Sequence, residues 1–97
     1  MPLPFDFALF LNSNLLGVIE FDGEQHFRPI LFNSCGEKES YENYKKCVKR
    51  DNIKTNYCKN NNLKLLRITY EDLNEGNWIY ILWDFLYDLG LIVDNIA

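Results

Sequence analysis

Three carboxylates near the N-terminus carry the strongest chemical signal in the sequence. Asp6 lies within one apolar run, while Glu20 and Asp22 lie at the end of a second. Because side chains alternate along a strand, Glu20 and Asp22 would share one face of it. Carboxylates that face one another repel, and a divalent cation with oxygen ligands would neutralise them. A shared proton, or neighbouring Lys and Arg side chains, are the alternatives.

The two apolar runs predict a β-hairpin. Its first strand is Phe5–Leu11, its loop Asn12–Asn14 and its second strand Leu15–Asp22. A loop of this length places Asp6 directly opposite Glu20, with Cβ atoms about 4.5–5.5 Å apart. A two-residue loop would shift the pairing and place Asp6 opposite the residue after Glu20.

His26 is the only histidine and follows Asp22 by four residues. A lone histidine is more often structural or exposed than functional. Beside a group of carboxylates, however, it is a candidate for proton transfer or for contact with a phosphate.

A long helix is predicted from residue 39 or 40 to about residue 60, a segment without Gly or Pro. Its apolar stripe is interrupted by Asp51 and Lys54. Buried charges are costly without partners, and two interpretations are open. The two residues form a mutual i,i+3 pair, or Asp51 orients His26 while Lys54 reaches a substrate phosphate.

The charge is unevenly distributed along the chain. The net charge is −4, but all ten basic residues lie between Arg28 and Arg67 with only four acids, which makes that segment +6. A basic segment beside an acidic cluster suits phosphate binding, and we expect Lys45, Lys49 and Arg50 to contact a nucleic-acid backbone. A solvated lysine-rich helix face is the alternative.

The remaining elements complete one α/β domain over residues 1–97. A strand is predicted at Leu63–Tyr70, a loop at Glu71–Gly76 and a helix at Asn77–Leu89, which gives the order β-β-α-β-α and a mixed sheet flanked by helices. The last helix is apolar on all sides. It therefore predicts cover by a second copy of the chain or by a missing N-terminal segment.

Several classes of protein are disfavoured. The N-terminus has no targeting signal, and no apolar run is long enough to cross a bilayer. Three cysteines without a CxxC pair argue against a disulfide framework or a zinc ribbon. We therefore expect an intracellular protein with reduced thiols that does not bind membranes.

Four stretches occur in an order that is informative: PFDF at 4–7, VIEFDGEQHF at 18–27, KRDNIKTNYC at 49–58 and LKLLRITY at 63–70. Together they resemble the PD-(D/E)XK nuclease superfamily, which has a restriction-endonuclease-like core. Within it the chain is most similar to the very-short-patch-repair mismatch endonucleases and their phage and homing-endonuclease relatives. The likeness covers residues 4 to about 73.

The resemblance implies roles for single residues. Asp6 and Glu20 match the two acidic positions, and the family's lysine position falls on Asp22. His26 matches a histidine that takes part in proton transfer in the very-short-patch-repair branch, and Asp51 an acidic residue that partners it. Relatives usually have a helix before the first strand, which we expect this chain to lack.

The expected function is therefore metal-dependent hydrolysis of DNA phosphodiester bonds. Asp6, Glu20 and Asp22 are the predicted ligands of Mg²⁺, or of Mn²⁺ in its place. His26, oriented by Asp51, is the predicted group for proton transfer. Two other classes are open: an inactive nucleic-acid-binding module with the same fold, and a small interaction protein in which the acidic hairpin has no role.

Overall fold

The apolar runs form strands, and the segment free of Gly and Pro forms the longest helix. The computed structural model describes residues 5–27 and 36–92. A 3₁₀ turn, Glu24–His26, follows the second strand. In chain order the other elements are β1 (Phe7–Leu11), β2 (Asn14–Asp22), α1 (Glu37–Asn60), β3 (Lys64–Thr69), α2 (Tyr70–Glu75) and α3 (Trp78–Asp88).

The hairpin turn differs from the prediction. The three-residue loop is wrong, because Leu11 pairs with Asn14 and the turn consists of Asn12 and Ser13 alone. Both turn residues have positive φ angles, 51° and 70°, as in the tight turns that match strand twist. A bulge at Leu16 then restores the register, because the next pairs are Leu9 with Gly17 and Phe7 with Ile19.

The sheet is mixed, as predicted, with the order β1-β2-β3. β1 and β2 are antiparallel, whereas β2 and β3 are parallel and place Glu20 beside Arg67. α1 is the connection between the parallel strands and packs on one face of the sheet, since Lys54 contacts Glu20. α3 packs on the other face, where the Phe85 ring lies 3.3 Å from the position of a Cβ on Gly17.

The segments after β2 begin and end at somewhat different residues from those predicted. α1 begins at Glu37, two residues before the earlier of the two predicted starts, and residues 28–35 lie outside the described part. The predicted loop at 71–76 is wrong, because Tyr70–Glu75 is helical. Thr69 and Asp72 form a capping box at its start, and Gly76, with φ 80°, ends it.

The apolar core is small. Among the described residues, the buried apolar side chains are Val18, Ile19, Cys58 and Ile68. Four polar residues are equally buried, and three of these carry charge. Burial of charge requires partners, so the packing of α1 on β2 depends on ion pairs as well as on apolar contact. In the described segments, no helix combines the length and the apolar character needed to cross a membrane.

Candidate functional site

The charged side chains converge between β2 and α1. Glu20 and Asp22 are two residues apart on β2, so they point to the same face, and each is only 4% exposed. β3 runs parallel to β2 and adds Arg67 at the level of Glu20. α1 covers the same face with Asp51 and Lys54. We call these five residues, together with Asp6 and His26, the polar cluster.

Asp6 and Glu20 lie beside each other, as predicted. The backbone N–H of Asp6 donates to Oε1 of Glu20 over 3.2 Å. The backbone N–H of Phe21 donates in turn to Oδ2 of Asp6 over 2.7 Å. Asp6 is exposed and just precedes β1, whereas Glu20 is buried within β2. The pair therefore joins an accessible carboxylate to a buried one at the edge of the cluster.

Lys54 is the partner of Glu20. Its Nζ atom lies 3.1 Å from Oε2 of Glu20, and both side chains are nearly excluded from water. The ring of Phe5 lies 5.5 Å from the same Nζ atom and adds a cation–π contact. Neither sequence interpretation of Lys54 included this ion pair, since one paired it with Asp51 and the other with a phosphate.

Arg67 links the two other carboxylates of the cluster. Its Nη1 atom lies 3.3 Å from Oδ2 of Asp22 and 3.5 Å from Oδ1 of Asp51. Its Nη2 atom donates to the backbone oxygen of Asp51 over 2.8 Å and to Oγ1 of Thr55 over 2.9 Å. One guanidinium thus fixes β2, β3 and α1 relative to one another.

His26 and Asp51 form the contact that the sequence suggested. Nδ1 of His26 lies 2.8 Å from Oδ2 of Asp51, and Oδ1 of Asp22 is 3.8 Å away. The 3₁₀ turn brings His26 against α1. Because an ionised carboxylate only accepts hydrogen bonds, Nδ1 carries the proton and Nε2 of the neutral ring is an acceptor.

The predicted ligand trio is only partly assembled. Asp6 contacts Glu20, but in the described part of the chain the one group of three metal-ligating side chains with ligand atoms within 4.8 Å is Asp22, His26 and Asp51. Asp22 lies in that group and forms an ion pair with Arg67. It is not part of the pair formed by Asp6 and Glu20. The cluster therefore has two halves, one at Glu20 and one at Asp51.

Sequence reasoning assigned no role to Arg67 or Thr55. A usable signal was present, because Arg67 interrupts the apolar strand sequence KLLRIT, where an internal charge needs a partner. Its partners, however, follow from the parallel register, which the sequence did not specify. Thr55 appeared only as part of the apolar stripe of α1.

The predicted backbone-binding residues lie on the outer surface of α1. Lys45 and Lys49 line a shallow groove of about 400 Å³ whose floor includes Val48 and Ile53. Arg50 lines a neighbouring groove of about 220 Å³, together with Lys46 and Lys49. The basic residues that line both grooves are exposed. The middle of α1 thus presents a basic outer surface and a polar inner one.

Cys58 is buried at the inner side of α1, close to the cluster. Loss of hydration raises the pKa of its thiol, Arg67 opposes this shift, and Glu20 adds to it. A thiol held in its protonated form is a poor nucleophile. The residue therefore serves packing, as the sequence suggested for the cysteines; Cys47 is also a free thiol, and Cys35 lies outside the described residues.

Comparison with known proteins adds no relative. No protein-family model, curated protein or solved structure matches the chain.

Proposed function

We propose that the chain is a metal-dependent endonuclease that hydrolyses phosphodiester bonds of DNA on a restriction-endonuclease-like core. The observation that carries the proposal is that a pair of carboxylates and a histidine held by another carboxylate lie in one polar cluster. Asp6 offers an accessible carboxylate, and its backbone contacts the buried carboxylate of Glu20. His26, held by Asp51, offers a base on the same side of the sheet.

The donor set is suitable for Mg²⁺ or Mn²⁺. Both ions prefer oxygen ligands, and the carboxylates of Asp6 and Glu20 would hold the ion, with Asp22 as a further candidate. With His26 neutral, the four carboxylates of the polar cluster outnumber its two cations, Lys54 and Arg67, which leaves a formal charge of −2. The ion would polarise the scissile phosphate and lower the pKa of a bound water.

The protein's own groups have separable roles in this proposal. In hydrolysis, water adds to phosphorus, one P–O bond breaks, and a proton passes from the water to the leaving oxygen. Nε2 of His26 accepts or returns that proton, while Asp51 fixes the tautomer and the orientation of the ring. Lys54 and Arg67 form ion pairs with Glu20 and Asp22 and fix the positions of these carboxylates.

The basic surface of α1 would supply affinity rather than chemistry. Lys45, Lys49 and Arg50 are exposed, and contacts of this kind to phosphates fix the position of a duplex without reading its sequence. Because these residues are exposed on α1 and outside the polar cluster, their removal should weaken DNA binding and leave the cluster intact.

A second candidate function is favoured by the ion pairs themselves. Lys54 and Arg67 already neutralise Glu20 and Asp22, which is one of the alternatives to a cation. A domain in which these pairs are permanent would bind nucleic acid through α1 without cleaving it. The two candidates differ in whether a divalent ion changes the properties of the protein.

A cleavage assay separates the candidates. Supercoiled plasmid and single-stranded DNA are incubated with the protein and Mg²⁺, Mn²⁺ or chelator, and with the variants Asp6→Asn, Glu20→Gln and Glu42→Gln. The endonuclease predicts metal-dependent nicking that falls at least about 100-fold in the first two variants, in line with the loss of a group that acts on the transition state. Glu42, an exposed acid of α1, is the matched control and should retain activity.

Three outcomes are informative. Nicking that survives both Asp6→Asn and Glu20→Gln contradicts the assigned site. Salt-sensitive DNA binding without nicking under any metal condition supports the binding module instead. Neither binding nor nicking would leave the small interaction protein as the remaining class.

A further inference from the structure

The outer surface of α3 is unusually apolar for an exposed helix. None of the eleven residues of this helix is buried in the described structure. Tyr80 is 74% exposed, Trp83 57% and Ile79 52%. These side chains recur at spacings of three and four residues, so they form one stripe along the helix. A contiguous apolar surface of this kind marks an interaction site.

The hairpin extends this surface. Phe7 and Phe21, which pack edge to face, line an apolar groove of about 300 Å³ together with Leu82 and Leu86 of α3. Phe7 is 55% exposed. We call the stripe of α3 and this groove the α3 surface. It lies on the face of the sheet opposite to the polar cluster.

The charges of the α3 surface exclude a polyanionic partner. The chain has no Lys or Arg after Arg67, whereas Asp84 and Asp88 are exposed on α3. Both acids lie in the C-terminal half of the helix, where they oppose its dipole, and the first turn contains no acid.

We propose that the α3 surface is the interface of a homodimer in which the two α3 helices pack antiparallel about a two-fold axis near Trp83. Asp88 is five residues from Trp83 and therefore lies about 140° around the helix from it, so the acids of α3 stay outside the contact and in water. Each Trp83 meets the other at the centre, where aromatic residues contribute most.

The available area is sufficient for such a dimer. With roughly 200 Å² for a whole aromatic residue, the exposed parts of Tyr80, Trp83 and Phe7 amount to roughly 370 Å². Ile79, Phe21 and Tyr87 bring the total to roughly 600 Å² per copy. Specific interfaces begin at about 1,200 Å² over both partners, which two copies supply when all six side chains are fully covered. Dimerisation also enlarges an apolar core that is small in one copy.

The dimer leaves the polar cluster open in both copies, because α3 and α1 lie on opposite faces of the sheet. The proposal does not depend on nuclease activity, since it rests on exposure and charge alone. Loss of the dimer and loss of cleavage are therefore distinguishable by separate variants.

Mass measurement by light scattering or sedimentation tests the dimer. The wild-type chain should have twice its monomer mass of 11.5 kDa. Trp83→Glu should raise the dissociation constant at least about 100-fold, because a charge is placed at the centre of a desolvated contact. Tyr41→Glu is the matched control, since Tyr41 is an equally exposed aromatic residue on α1, and it should remain dimeric.

A second variant covers a failure of Trp83→Glu to fold. Tyr80 is the most exposed of these residues, so Tyr80→Lys should keep the native circular dichroism spectrum and weaken the dimer. A wild-type chain that stays at monomer mass over the accessible concentration range overturns the proposal. A folded Tyr80→Lys or Trp83→Glu variant with undiminished dimer affinity overturns it as well.

Discussion

The buried ion pair of Lys54 and Glu20 should be among the most sensitive points of the fold. Nζ and Oε2 are 3.1 Å apart and both side chains are almost fully buried. At an effective dielectric constant of about 20, two unit charges at this distance attract by about 5 kcal/mol. Lys54→Met keeps most of the length of the side chain and removes the charge, which leaves Glu20 buried without a cation.

The expected cost is about 3–5 kcal/mol of unfolding free energy, the usual penalty for removal of one partner of a buried pair. This is a large share of the roughly 5–15 kcal/mol that stabilises a small domain. Urea unfolding followed by circular dichroism measures the change. Lys49→Met, at an exposed position of the same helix, is the control and should change stability by less than about 0.5 kcal/mol.

A double variant tests the physical reason. Lys54→Met combined with Glu20→Gln removes the uncompensated charge, so it should recover much of the stability that Lys54→Met alone loses. If Lys54→Met costs no more than Lys49→Met, the two charges are not desolvated in solution and the reasoning about the cluster is refuted. If the double variant is no more stable than the single one, charge burial is not the cause of the loss.

Three further predictions concern the turn, the sheet and the thiols. Ser13→Gly should stabilise the protein by about 1 kcal/mol and raise Tm, because Ser13 has a φ of 70°, where side chains are strained; an unchanged or lower Tm contradicts this. Gly17→Ala should cost about 1–3 kcal/mol in urea unfolding, because its Cβ would lie 2.8 Å from the backbone oxygen of Lys64; equal stability would contradict it. At neutral pH iodoacetamide should modify Cys47 well before Cys58, because burial raises the pKa of the Cys58 thiol. The raised pKa means that the folded protein favours the protonated Cys58 thiol, so the free energy of unfolding should fall as the pH rises through this pKa. Cys58→Ala removes the titrating group and should make the fall in stability at alkaline pH less steep. Peptide mapping of the alkylated protein checks the order of labelling, and equal labelling of Cys47 and Cys58 would refute it. Unfolding curves at alkaline pH check the effect of Cys58→Ala on stability.

The hairpin shows that a prediction can place two residues together correctly although the loop length it assumes is wrong. The sequence predicted Asp6 beside Glu20 from a three-residue loop, and the two residues are adjacent. The turn nevertheless has two residues, and the bulge at Leu16 compensates for the missing one. Alternation on a strand is a strong constraint, whereas turn length and bulges depend on backbone conformations that several residue types tolerate.

Local signals explain the other successes and errors. The long helix followed from the absence of Gly and Pro, and the contact of Asp51 with His26 was one of two interpretations of a charge in an apolar stripe. The short helix after β3 was missed, although Thr69 and Asp72 have the spacing of a capping box.

The partners of Lys54 and Arg67 could not be derived from the sequence. They depend on how α1 crosses β2 and on the parallel register of β3, both of which are set by tertiary packing. A sequence identifies charges that need partners, but it does not specify which partners these are.

Titration of the protein with Mn²⁺, followed by electron paramagnetic resonance of the free ion, tests the central claim most directly. The claim proposed above is that Asp6 and Glu20 hold a divalent cation, which would offset the residual negative charge of the polar cluster. The account predicts saturable binding that is lost in Glu20→Gln and in Asp6→Asn and is kept in Glu42→Gln. Wild-type protein that leaves Mn²⁺ free, or binding that is unaffected by both substitutions, would contradict it.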